Sequence, residues 1–288
     1  MAVFGLVPTL DLFQYSLVDN IFSMTVATMG AAALFFFMSR SQVAWKYRPA
    51  LLVSGIVVSI AAYHYFMIRG SWHDAYAFQD GAAGAAGKYM GSGKSFNDFY
   101  RYADWILTVP LLMVELVAVL ALPASVSRPL MVKLVIAAAL MIGLGYPGEV
   151  SDVWMTRVMW GVASSVPFFY ILYVLWVELT ASLDTQPAAA RPLISAARLV
   201  LLITWAFYPI AYAIYGDSLP NAVPGIIGER SGQAYVAIQI GYALADITAK
   251  AGFGVLIYLI AIRKTEALSP AERADYSDTT NRSAAAMA

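Results

Sequence analysis

Residues 101–115 read RYADWILTVPLLMVE. The stretch is apolar enough for a hydrocarbon interior, yet it holds one arginine and two acids. An ionisable group at mid-bilayer costs about 2.5–3.5 kcal/mol on insertion scales, so such groups are rare and usually functional. As an α-helix at about 100° per residue, Asp104 and Thr108 differ by about 40°, Asp104 and Glu115 by about 20°, and Arg101 and Asp104 by about 60°. All four share one stripe. Asp104 and Glu115 stand about 16.5 Å apart along it at the helical rise. Two carboxyls on one face at different depths can form the ends of a proton path. Two independent interhelical hydrogen bonds are the structural alternative.

The whole chain agrees with a membrane setting. Of its 288 residues 60% are hydrophobic and 12% charged, with 18 Lys and Arg against 18 Asp and Glu. Mean hydropathy is +0.67. The charged share is about half that of a soluble domain, and in water such a chain would expose large apolar patches. The absence of a basic excess argues against a nucleic-acid partner. The apolar content excludes disorder for most of the chain. There is no cysteine, which removes disulfides, thiolate metal sites and cysteine nucleophiles. His64 and His73 cannot build a metal site by themselves, so no metal is expected.

Seven apolar stretches approach the length that spans a ~30 Å hydrocarbon core: 15–38, 50–68, 99–121, 130–148, 155–180, 199–216 and 234–262. Residues 1–264 therefore form one domain, an all-α seven-transmembrane helix bundle, with a polar tail over 265–288 expected to be disordered. Lys and Arg set the orientation. With the N-terminus outside and the C-terminus cytoplasmic, eleven basic residues fall in inner connections and the tail, and Arg69, Lys88, Lys94 and Arg230 fall outside. The N-terminal stretch lacks the basic region of a secretory signal, its first basic residue being Arg40. A multi-pass protein of the cell (inner) membrane follows, with the lipid bilayer as its first partner.

The longest connection, 69–98, contains GAAGAAG at 81–87 and GSGKS at 91–95. The ending looks like a phosphate-binding loop, but the position that needs glycine is Lys88. A flexible or hairpin loop is expected instead.

The seventh stretch holds DITAK at 246–250. Asp246 and Lys250 are one turn apart and can meet. A lysine deep in a span must pair with acids or lose its charge. A desolvated lysine also forms Schiff bases with aldehydes, and Asp104 and Asp246 could balance a cationic imine. Pro110, Pro167 and Pro209 fall within spans, where each can kink its helix. Trp105, Trp160, Trp205, Tyr208 and Tyr212 lie in the same regions. They are either packing or the walls of a flat apolar ligand's pocket.

These motifs resemble the microbial (type 1) rhodopsins. RYADWILTVPLLMVEL resembles the counterion helix of that family, DITAKAGFG its retinal-lysine helix, and WAFYPIAY the helix packed on the polyene. The resemblance covers residues 10–265. Glu115 and His64 (in AAYHYFMIRG) are similar to the proteorhodopsin and xanthorhodopsin branches. LMIGLGYPGEVSD and PFFYILYVLWVEL are similar to xanthorhodopsin-like pumps.

The resemblance implies a light-driven outward proton pump, an ion transporter rather than an enzyme. Lys250 would hold all-trans retinal as a protonated Schiff base. Asp104 would be counterion and proton acceptor, Asp246 the second counterion, and Glu115 the internal donor. Arg101 would stabilise the anions, Thr108 would hydrogen-bond Asp104, and His64 would bond and tune it. Trp105, Trp160, Trp205, Tyr208 and Tyr212 would line the retinal, and Leu112 would occupy a colour-tuning position. Gly161 would leave a window through which a carotenoid antenna reaches the retinal ring; close helix packing is the alternative. A homo-oligomer is expected. The outer glutamate pair of bacteriorhodopsin is missing: Ile238 stands near one member, and Glu229 matches the other poorly. The rivals are a sensory rhodopsin of the same fold, which Glu115 argues against, and a non-photoactive seven-span receptor or transporter.

Overall fold

The structure, a computed structural model, describes residues 7–81, 86–97, 99–151, 153–214, 232–270 and 272. Seven helices among them are long and apolar enough to cross a membrane. They are α1 (Leu12–Ser39), α2 (Arg48–Ala75), α3 (Tyr100–Leu120), α4 (Ala124–Glu149), α5 (Trp154–Leu183), α6 (Arg191–Ile214) and α7 (Gly232–Glu266). The chain is a multi-pass membrane protein. Several helices outrun the apolar stretches expected for them. A helix keeps all its backbone bonds internal, so it can continue into the polar zone: α2 continues to Ala75, and α6 begins at Arg191. Likewise α7 passes the expected domain limit of 264, and Thr265 accepts the Ala44 N–H at 3.0 Å. Residues 273–288 of the expected tail lie outside the described residues, as does Glu229.

The connection after α2 is a hairpin. Strand β2 (Tyr76–Gln79) pairs antiparallel with β3 (Lys88–Gly91), which also pairs with β1 (Leu10–Asp11) ahead of α1. This three-stranded sheet marks one end of the bundle. GSGKS leaves β3 there. Gly93 takes φ +89°, which favours glycine, and Lys94 pairs with Asp74 at 3.3 Å. No helix begins at that turn, so the structure gives it no phosphate-binding frame.

The largest core cluster lies where α3, α6 and α7 meet, around Leu112, Leu116, Leu201 and Ile257. A second, aromatic one sits under the sheet, with Phe22, Tyr65 and Trp72. α5 turns a different surface outward. Val162, Val166 and Phe169 are 63–68% exposed at helical spacing, a face stable against lipid tails and unfavourable in water. Pro110, Pro167 and Pro209 all lie inside helices. Two π-turns interrupt the bundle, at Val174–Glu178 in α5 and Ile247–Gly252 in α7. The second carries Lys250.

Candidate functional site

α3 and α7 bring four ions together. Lys250 Nζ donates to Asp104 Oδ2 and, at 3.0 Å, to Asp246 Oδ1. The three side chains are 2%, 1% and 0% exposed. An ammonium this deep persists only when opposed by anions and hydrogen-bonded. Asp246 is the better-furnished acid. Its Oδ1 also accepts from Tyr208 at 2.6 Å and Trp105 at 3.3 Å, and its Oδ2 accepts from Tyr65 at 2.8 Å. Asp104 accepts from Lys250 through one oxygen, while Oδ1 has no hydrogen-bond partner among the described residues. Arg101 lies one turn from Asp104 toward the sheet. Its guanidinium donates to Gln239 Oε1 at 2.6 Å and lies 4.8 Å from the Tyr242 ring centroid. π-turns recur at functional sites, and this one places Lys250 on the seam between α3 and α7.

A cavity of about 360 Å³ adjoins the lysine, within the size range of small-molecule pockets. Trp105, Leu112, Gly161, Trp205, Tyr208 and Tyr212 line it, and Asp246 and Lys250 are in its wall. It opens to the outside of the bundle beside α5, at Val158 and Val162. Around Gly161 the fit is close. A Cβ there would lie 3.0 Å from Tyr212 Cε1, so the tyrosine ring occupies the space a side chain would need.

Glu115 occupies a different environment on the same helix. It is fully buried, and neither carboxyl oxygen has a hydrogen-bond partner among the described residues. The hydroxyl of Ser54 stands beside it but donates to the Ala50 carbonyl at 3.1 Å.

Three expected contacts differ. Thr108 donates to the Asp104 backbone carbonyl at 2.9 Å, not to its carboxylate. A hydroxyl on a buried helix always has the i−4 carbonyl within reach. His64 meets its own helix in the same way, Nδ1 lying 3.0 Å from Ile60 O, and makes no hydrogen bond to Asp104. Trp160 does not line the cavity; its Cβ faces Gly148 of α4. Arg157, three residues earlier, takes a place in the wall. It donates to the carbonyls of Glu149 at 3.0 Å and Tyr212 at 3.1 Å, and pairs with the Glu149 carboxylate at 3.4 Å.

Sequence reasoning missed Tyr65, Gln239 and the Arg157–Glu149 pair. A buried tyrosine or glutamine at helical spacing looks like packing until the facing helix is known. Arg157 did carry a signal, being a cation inside an apolar stretch.

Comparison with known proteins identifies the family. Xanthorhodopsin, described as a light-driven ion pump with dual chromophore, superposes with a TM-score of 0.82 at 50% identity, over 90% of this chain and 98% of that one. Thermophilic rhodopsin matches with the same TM-score at 47% identity, over 91% and 100%. The blue-light absorbing proteorhodopsin of Gamma-proteobacterium Hot 75m4 is 31% identical over 253 residues, 85% of this chain and 86% of that protein. The profile of bacteriorhodopsin-like proteins matches residues 16–264. The chain belongs to the bacteriorhodopsin-like family.

Proposed function

We propose that this protein is a light-driven outward proton pump with all-trans retinal bound covalently at Lys250 Nζ. The supporting observation is the placement of Lys250: a buried amine between two carboxylates, opening on an aromatic cavity, with a further acid along α3 that has no hydrogen-bond partner among the described residues. The residues fit the group. The cavity walls are largely apolar and aromatic, and one end offers a single amine with counterions. When bound, retinal would supply visible absorption and a light-driven change of shape.

The chain's own groups do the rest. Asp104 is the acceptor for the proton on Lys250 Nζ, because it touches that nitrogen and has the poorer set of donors. Asp246 is braced by Tyr65, Tyr208 and Trp105 and serves as the second counterion of Lys250. Once Nζ is neutral, the attraction that held Asp104 charged is gone and it keeps the proton. Glu115, in apolar surroundings with no cation beside it among the described residues, holds a proton to return to Nζ from the opposite side. With the sheet end outside, as the basic residues suggest, each cycle moves one proton outward.

The cavity mouth beside α5 supports the reading that a second chromophore docks there. Gly161 lies in that wall, and a carotenoid on the apolar face of α5 could approach the ring end of the retinal there. Two measurements test these readings. Membranes given all-trans retinal should gain a visible band that hydroxylamine bleaches and that Lys250→Ala lacks; a colourless wild type would favour a receptor or transporter. Added hydroxylated carotenoid should contribute to the excitation spectrum, and its absence there would remove the antenna.

A further inference from the structure

Lys264 lies fourteen residues beyond Lys250, in the last turn of α7, and is 5% exposed. Its ammonium donates to the backbone carbonyls of Val119 at 3.0 Å and Leu120 at 2.5 Å, and to Gln186 Oε1 at 2.7 Å. All three of its N–H bonds are thus used. Two acceptors are the final carbonyls of α3, which lack intrahelical partners and form the negative end of the helix dipole. α3 stops there because Ala121 turns left-handed, at φ +47°. The third acceptor belongs to the connection between α5 and α6. Gln186 also donates to Leu120 O at 3.5 Å, and the Tyr47 ring, on the connection from α1 to α2, lies 5.1 Å from the ammonium. One side chain therefore ties the end of α3 to α7 and to two connections.

This clasp lies beyond Glu115, at the end of α3. Leu120 is about 7.5 Å beyond Glu115 along α3, and Val119 is one turn on, on the same face and fully buried. A proton entering from this end must pass that turn. The clasp contains no carboxylate among the described residues. Its hydrogen-bonding partners are neutral dipoles, for which water substitutes more readily than for a carboxylate. Lys46, a like charge, lies over the same Tyr47 ring. If the α5–α6 connection swings away, Gln186 leaves and the ammonium can hydrate.

We infer that Lys264 is a positioning residue for proton uptake: by clasping the α5–α6 connection to the end of α3, it controls access to Glu115. The inference rests on the pump reading above. The test uses the full chain in membranes, as wild type, Lys264→Met and Gln186→Leu. Without retinal, backbone hydrogen exchange over 184–190 should quicken about tenfold in both variants. With retinal, the rate at which Lys250 Nζ regains its proton after a flash should change at least about threefold, with the preceding loss of that proton unaltered. A purely structural role would disturb both phases or neither. Equal changes in both phases, or none in either, overturn the inference. If Lys264→Met does not fold, Gln186→Leu decides it alone. A wild type that never loses and regains this proton refutes the pump reading, and the inference with it; a cycling wild type with unaffected variants refutes the inference alone.

Discussion

The two acids of α3 share a stripe but not an environment. Asp104 lies among ions, in contact with Lys250 and one turn from Arg101. Glu115 lies among apolar side chains, with neither oxygen hydrogen-bonded among the described residues. The first is a carboxylate that the fold needs, because it helps neutralise a buried ammonium. The second is a carboxyl that costs little while neutral and a great deal when charged. One helix thus offers a proton acceptor and a proton donor separated by about 16.5 Å of helical rise. The difference arises from the neighbouring helices: α7 supplies a cation at one depth, and α2 supplies a serine hydroxyl at the other.

The contrast can be broken at either acid. Asp104→Asn should have the larger effect. It removes the acceptor, so light-driven acidification should vanish. It also leaves Lys250 with one anion, and breaking a buried pair typically costs about 3–5 kcal/mol, which thermal unfolding would report. Glu115→Gln should do the reverse. A neutral amide replaces a neutral carboxyl, so stability should stay within about 1 kcal/mol, while recovery after a flash slows by about tenfold or more. If Asp104→Asn cells acidify fully, or Glu115→Gln recovers at the wild-type rate, the assigned roles are wrong. Gly161→Trp should have the smallest effect on pumping. The indole must displace Tyr212 at the cavity mouth, so energy transfer from added carotenoid should disappear while proton transport persists. Equal transfer in the variant would show that the carotenoid, if bound, lies elsewhere.

Much of this was legible in the sequence. Seven apolar stretches gave seven helices, because a chain in hydrocarbon has few other ways to satisfy its backbone. Asp104, Asp246 and Lys250 stood out because charge is expensive in such stretches, and the structure brings all three together. Partner choice was less legible. Helical spacing tells which face a residue occupies, and nothing about the rotation or depth of the helix opposite. Tyr65 therefore went unnoticed as a ligand of Asp246, and Gln239 as the acceptor for Arg101. Thr108 and His64 took carbonyls of their own helices, which are always in reach, over the carboxylate expected of them. Trp160 faces α4 because its position on α5 turns it from the cavity that Arg157 and Gly161 face. The π-turn at Lys250 had no mark in the sequence. It shows only in the hydrogen-bond pattern of a helix constrained by its neighbours.

The most direct test is the pH of an unbuffered suspension of cells that express the protein and have been given all-trans retinal. Illumination should acidify the medium reversibly, and a protonophore should abolish the signal. Illumination that leaves the pH unchanged, or turns the medium alkaline, would contradict an outward pump driven from Lys250 through Asp104.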